Sequence, residues 1–493
     1  MELRMEFGIF GLFSRLSLRL ASLAFAFFCF LILAPLEAQT GEARAEALLI
    51  RDVRTVDFTG AEPEAADHVS VLVRDGIIVA TGPVAEAEAP AGARIVEGKG
   101  RTMIPGLYDM HVHIWDEDEL GSYLAHGVTT VRNLSGMPFL LPMRDRVEAG
   151  ELAGPRILTS GPILNGSGPN AQPNHQIVDT PEAARAAVRA HFETGYRRIK
   201  VYSNLSRASY EAVRDEAAAL GMRITGHTPE GVREPGMPRE RPFNIVFDEL
   251  LDDGFETIEH VESIVWHGLR DRHDETEARA LAQRIAAASV PVDATLVAFA
   301  NLYRVAASEG AYLSRLGTDR LNPFISEMEA PQYARWSAED AERAARQLGF
   351  YQTVTRIFHE EGVQIVAGSD SGIFTNIAGI SLHDELALLV EAGLTPYQAL
   401  QTATVNAAAA LGEADRVGRI APGYRADLIL VEDDPLADIA VLREPTAIVA
   451  NGRFIDAQER TVLIETAVQT PYDRSAANVL EALAAQGTPL PGQ

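Results

Sequence analysis

Apolar positions fall into two regimes along the chain. From 47 to 104 they form short β-rich runs broken by turns: Ala47 to Val56, His68 to Val73, Ile77 to Val79 after Asp75-Gly76, and Ala93 to Val96. A matching block near the other end holds Val417 to Ile420, Ala426 to Val431, and Ala447 to Ala450 before Asn451-Gly452. Alternation bounded by Gly, Asp and Asn predicts strands and hairpins. Neither block makes a sheet core alone, so the pattern predicts that 39–104 and 413–470 pair into one small β-sandwich domain.

Between them, from 105 to 412, apolar runs of strand length alternate with helical patterns, which predicts βα units and parallel pairing. The strand candidates are Leu107 to His113, Val128 to Asn133, Arg156 to Ser160, Arg198 to Tyr202, Arg223 to His227, Thr257 to His260, Val290 to Thr295 and Val363 to Ala367. Eight is the number that a closed (β/α)8 TIM-like barrel needs, so the expected class is α/β. Helices are expected over Pro181 to Thr194 with Thr180 as N-cap, over Ser206 to Leu220, and over Leu382 to Ala392. Thr395-Pro-Tyr-Gln398 has the form of a capping box with proline at the first helical position.

The ends are different in kind. Arg4, Arg15 and Arg19 precede an apolar run from Leu20 to Leu33, then Pro35 and Leu36-Glu37-Ala38. A charged lead, a short apolar core and a small residue at the cut describe a secretory signal over 1–38, and the run is short for a membrane span. A secreted or periplasmic location follows as an expectation, without stable membrane association after cleavage. The one cysteine, Cys29, lies inside that segment, so any metal site in the mature chain must use His, carboxylates and Lys. The tail 471–493 holds one helical patch and a Pro/Gly-rich end from Gly487.

Composition narrows the partners. The net charge is −26 over 493 residues, which argues against nucleic acid and anionic membrane surfaces and is compatible with a small-molecule substrate and with a homo-oligomer.

Catalytic groups on such a barrel sit at the C-terminal ends of strands. Reading those positions in order gives His111 and His113, then Lys200, His227, His260 and Asp370. His111 and His113 are spaced i, i+2 and therefore share one face of a strand. Imidazoles converging from strand ends suit zinc and its neighbours. Lysine occurs only at 99 and 200, while arginine supplies all other positive charge. A lysine kept at an apolar strand end points to an amine that can lose its proton, because burial shifts a lysine and leaves an arginine charged.

In these motifs, His-x-His after Pro105-Gly106, Ile199-Lys-Val-Tyr202, Gly226-His-Thr228, Ile258-Glu-His260 and Gly368-Ser-Asp370, the chain resembles the amidohydrolase superfamily. It is similar to the metal-dependent hydrolases that include prolidase-like dipeptidases and carboxypeptidases, with imidazolonepropionase-like enzymes nearby. The resemblance implies two divalent ions, usually zinc, bridged by a carboxylated Lys200. His111, His113 and Asp370 would complete one ion, and His227 and His260 the other. It also implies a metal-bridged hydroxide attacking a carbon–nitrogen bond, with Asp370 as general acid/base. Tyr202, two residues beyond Lys200, is a candidate for holding the carbonyl, and His175, in a Pro-rich loop, for touching substrate.

Glu259 is expected to alternate away from the metals, and His383 to be structural. The stretches 231–244 and 301–336 are the expected substrate-facing insertions, because loops carry specificity on this architecture. The lead expectation is hydrolysis of a dipeptide or N-acyl amino acid. Cyclic-amide or imidazolone hydrolysis is the enzyme alternative, with Lys200 against it, since that class works without a bridging lysine. A non-catalytic binding protein on a degenerate barrel is the alternative of another class, with Asp370 against it.

Overall fold

A computed structural model describes residues 47–233, 237, 241 and 243–486. The expected signal segment, Cys29, part of the 231–244 insertion and the end from Gly487 lie outside the described residues. No helix among those described is long and apolar enough to cross a membrane.

The two chain ends share one eight-stranded sheet. Its order is Arg453–Ile455, Ala447–Ala450, Leu428–Val431, Thr102–Pro105, Leu48–Asp57, Glu64–Arg74 and Ile77–Gly82, with Arg94–Glu97 also paired to Leu48–Asp57. Antiparallel pairing of Leu428–Val431 with Thr102–Pro105 joins residues more than 300 positions apart, and Ile50, Val71, Met103, Leu428 and Val449 pack beneath it. Val417 to Ile420 is not a strand. Gly418 sits at φ +79 in its middle, which turns the backbone out of the extended region.

All eight expected strands of the middle region are present, most of them trimmed at the ends. Leu107–Val112, Val128–Asn133 and Arg156–Thr159 form a three-stranded parallel sheet. Arg198–Val201, Arg223–Gly226, Phe255–Glu259, Val292–Asp293 and Ile365–Val366 lie in a seven-stranded parallel sheet with two further strands, Ile163–Asn165 and His175–Ile177. Those two carry only three residues each, too few for a periodicity to show in sequence. Helices cover the strands, so Leu107–Val112 and Val128–Asn133 are buried at every position, including the polar Asp109, His111, Thr130 and Arg132. The first strand also bonds the segment after the last, through Met110 N to Ala367 O at 2.9 Å and His113 N to Ser371 O at 2.7 Å.

Helix boundaries follow their capping residues. Pro181–Thr194 starts on Thr180, whose hydroxyl accepts from Ala183 N, and Pro396–Thr402 opens with the Thr395/Gln398 capping box. The helical patch of the tail is a 14-residue helix, Tyr472–Ala485.

Candidate metal centre and its cavity

A cavity of about 550 Å³ opens at the C-terminal ends of the parallel strands and is bordered by His111, His113, Lys200, His227, His260 and Asp370. Tyr202 and His175 border it as well. Ligand atoms of His111, His113 and Asp370 lie within 4.8 Å of one another. His113 Nε2 is 2.8 Å from Asp370 Oδ1, and His111 Nε2 is 3.4 Å from the same oxygen. Lys200 Nζ stands 3.1 Å from His111 Nε2. His227 and His260 form the opposite side, with ring centroids 4.6 Å apart and His260 4.7 Å from His111.

Burial governs the protonation of this cluster. Lys200 is 1% exposed, and burial lowers its amine to about 8 against the pull of Glu259 and Asp370. The other lysine, Lys99, is exposed. Burial lowers His111 to about 3 and His260 to about 4, and it carries His227 well below its usual range. Burial alone would raise Asp370, but the His111, His113 and His260 rings outweigh it and hold the carboxyl well below the usual carboxylate range. Neutral rings at His111, His227 and His260 and an ionised Asp370 are the protonation states in which such groups bind metal. The Nδ1 atoms of His113, His227 and His260 are buried with no hydrogen-bond partner among the described residues. All donors are nitrogen or oxygen, a set that fits a divalent transition ion such as zinc.

Two of the ligand candidates sit in strained backbone. His260 has φ +67 and Asp370 φ +53, conformations that cost a non-glycine residue roughly 1–3 kcal/mol and collect at functional sites. His260 lies just beyond the strand Phe255–Glu259, and its left-handed turn swings the ring into the cavity.

That turn corrects the expectation for Glu259. Alternation would send Glu259 to the face opposite His260, but it holds only while the backbone stays extended. Glu259 is wholly buried within the strand layer behind the cluster and accepts from His111 Nδ1 at 3.0 Å, Arg132 at 2.9 Å and Thr225 Oγ1 at 2.7 Å. Burial pushes Glu259 up, but Arg132 and His111 outweigh it and keep it ionised. Asp293 beside it is raised well above the usual range by burial and by the Glu259 charge.

His175 is buried rather than solvated. Its Nδ1 meets Asn165 Nδ2 at 3.1 Å, and its ring lies 4.6 Å from Tyr202, which in turn lies 4.0 Å from His227. His383 is structural as expected, with Nε2 2.8 Å from the His126 carbonyl. The segment 301–336 borders the cavity through Ile325, Met328, Glu329 and Arg335, whereas no described residue of 231–244 does. Arg335 makes no ion pair among the described residues. Sequence reasoning also missed Val479 and Leu483 of the C-terminal helix, which complete the cavity from the tail. Their i, i+4 apolar spacing was visible, but nothing local says what a helix face packs against.

The model of the amidohydrolase family matches residues 102–455. The imidazolonepropionase of Deinococcus deserti is 25% identical over 388 residues, covering 76% of this chain and 88% of that one. The ochratoxinase of Aspergillus niger is 23% identical over 457 residues, covering 78% and 82%. A Xaa-Pro dipeptidase crystallised with methionine in its active site shares the fold, at a TM-score of 0.62 and 21% identity over 84% of this chain and 100% of the other.

Proposed function

Because the chain belongs to the amidohydrolase family, metal-dependent hydrolases of TIM-barrel-like fold acting on carbon–nitrogen bonds, we propose that it cleaves the amide of a dipeptide or an N-acyl amino acid. The observation that carries this reading is the convergence of His111, His113 and Asp370 within 4.8 Å, beside Lys200 and across from His227 and His260.

His111, His113 and Asp370 would hold one divalent ion and His227 and His260 a second, both taken as zinc. Lys200 would bridge them after carboxylation. Its neutral amine attacks carbon dioxide, an N–C bond forms, and one proton leaves to solvent. An amine at about 8 keeps an appreciable neutral fraction at pH 7, which supports this role. When bound, such ions lower the pKa of water and polarise a carbonyl.

The chain's own groups do the rest. Asp370 takes a proton from the attacking water and returns it to the departing amine nitrogen. Burial raises Tyr202, so its phenol stays protonated and donates to the carbonyl oxygen as negative charge develops there. His175 holds the Tyr202 ring in place from the side. Arg335, which borders the cavity and makes no ion pair among the described residues, takes the carboxylate of the amino-acid portion.

This reading keeps a closed eight-stranded barrel over 105–412 and a sandwich-like terminal domain from 39–104 and 413–470. The hydrogen bonds from Met110 and His113 to the segment after the last strand support closure. It also keeps secretion or export to a periplasm, which rests on the 1–38 segment alone.

The test is metal analysis of protein prepared with zinc and bicarbonate, joined to a screen of dipeptides, N-acyl amino acids and cyclic amides. Two equivalents of metal with turnover of linear amides is the expected result. Fewer than two equivalents, or turnover confined to cyclic amides, overturns it. The cyclic-amide arm is included because of the Deinococcus deserti relative.

A further inference from the structure

We propose that the C-terminal helix Tyr472–Ala485 is a wall of the substrate cavity, and that Val479 and Leu483 select amides carrying a bulky apolar group. The selection rests on the amide-hydrolase reading, whereas the wall itself does not.

Val479 and Leu483 are spaced i, i+4, so they project from one helix face, and each is 2% exposed. An amphipathic helix buries such a stripe wherever it docks. Here the stripe borders the same cavity as the histidine cluster, next to Ile325, Met328 and Trp336 from the helix Pro323–Ser337. The cavity is therefore polar and metal-competent at the strand ends and apolar along the helix. An amide bound with its carbonyl at the cluster places an apolar substituent along this wall, where Val479 and Leu483, 2% exposed, act through the shape they give the cavity rather than through the area they offer. A cavity near 550 Å³ holds a substituent well beyond a methyl group.

The helix is also held in register with the cluster. Arg474 pairs with Asp116, which is fully buried, and with Asp118. Ser475 Oγ meets Asn322 Nδ2 at 2.9 Å, and Asn478 Nδ2 donates to the Trp115 carbonyl at 3.4 Å. Trp115 lies stacked 6.0 Å from the His113 ring, at 12°, and its indole N–H donates to Gly372 O at 2.9 Å. Arg474 and Asn478 thus attach to the residues directly after His113, and Ser475 to the helix start at Asn322, so the wall keeps a fixed distance from the site of chemistry.

The test measures kcat/KM for N-acetylglycine, N-octanoylglycine and N-acetylphenylalanine in the full chain, with Leu483→Trp to fill the wall, Leu483→Ala to hollow it and Glu481→Trp as an outward-facing control. The expected result is a preference for the apolar substrates over N-acetylglycine that falls at least tenfold in both Leu483 variants and stays within twofold in the control. A preference that Leu483 does not move, or that Glu481→Trp moves equally, overturns the proposal. Calorimetric binding of N-octanoylglycine to the same proteins separates the two readings. If no amide is turned over, the amide reading fails, and tenfold weaker binding in the Leu483 variants alone still sustains the wall. Unchanged binding there removes it.

Discussion

Glu259 accepts a hydrogen bond from His111 Nδ1 at 3.0 Å, on the side of the ring away from Lys200. The carboxylate fixes the tautomer, so that Nδ1 carries the proton and Nε2 presents its lone pair to the cavity. Fully buried Arg132 in turn holds Glu259, donating to it at 2.9 Å and to Glu256 at 3.2 Å. Such outer partners orient a metal-binding imidazole and make it more basic. Glu259→Gln is expected to weaken zinc affinity about 10–100-fold with the fold retained, read by chelator competition alongside circular dichroism. Unchanged affinity would make Glu259 a packing residue only.

Lys200→Arg keeps a cation in a site that is 1% exposed but cannot supply a neutral amine. The variant is expected to fold, to bind less metal than the parent, and to lose turnover. Elemental analysis and an amide assay check this. A fully active arginine variant would show that no carboxylated lysine is needed.

Gly226 precedes His227 at φ +131, and a Cβ there would stand 2.2 Å from the Val201 carbonyl oxygen of the neighbouring strand. Gly226→Ala therefore has to spread two paired strands, both carrying site residues. The expected cost is on the order of 3 kcal/mol, visible as a lower urea midpoint, with His227 displaced and metal binding weakened. Wild-type stability in this variant would contradict the tight strand pairing.

Acid stability has a separate source. His267 is buried, with Nε2 2.8 Å from the Ile245 carbonyl and Nδ1 2.7 Å from the Thr228 hydroxyl, an arrangement that suits a neutral ring. Burial lowers it to about 4 from an ordinary value of 6.5. A depressed folded-state pKa gives stability that is complete above about 6.5 and is lost as pH falls towards 4, because the unfolded chain takes up the proton first. The loss attributable to this ring is at most ~3 kcal/mol. Urea unfolding at pH 7.5, 6 and 5 should show a decline that is shallower in His267→Gln. Equal slopes in the two proteins would refute it.

The sequence carried the strands and the ligand candidates further than their surroundings. Leu107 to His113 and Val128 to Asn133 were legible because β-branched and aromatic residues follow a glycine, Gly106 or Gly127, and give way to polar residues at the end. Thr180 and Thr395 were legible because capping is local. Glu259 was misplaced because one residue, His260, leaves the extended region and cancels the period of two. The burial of His175 was not legible, because it comes from Tyr202, Asn165 and Gln172, none of which the Pro-rich loop announces. Val479 and Leu483 were out of reach for a related reason, since the partner of an apolar helix face is a tertiary fact.

The two lysines offer a practical handle. Lys200 is sealed inside the strand ends, whereas Lys99 is exposed in a turn before the strand Thr102–Pro105 of the terminal sheet. An amine-directed reagent therefore finds one accessible side chain on the whole described surface. With the α-amino terminus blocked, Lys99 serves as the attachment point for a support or dye that leaves the cavity unmodified.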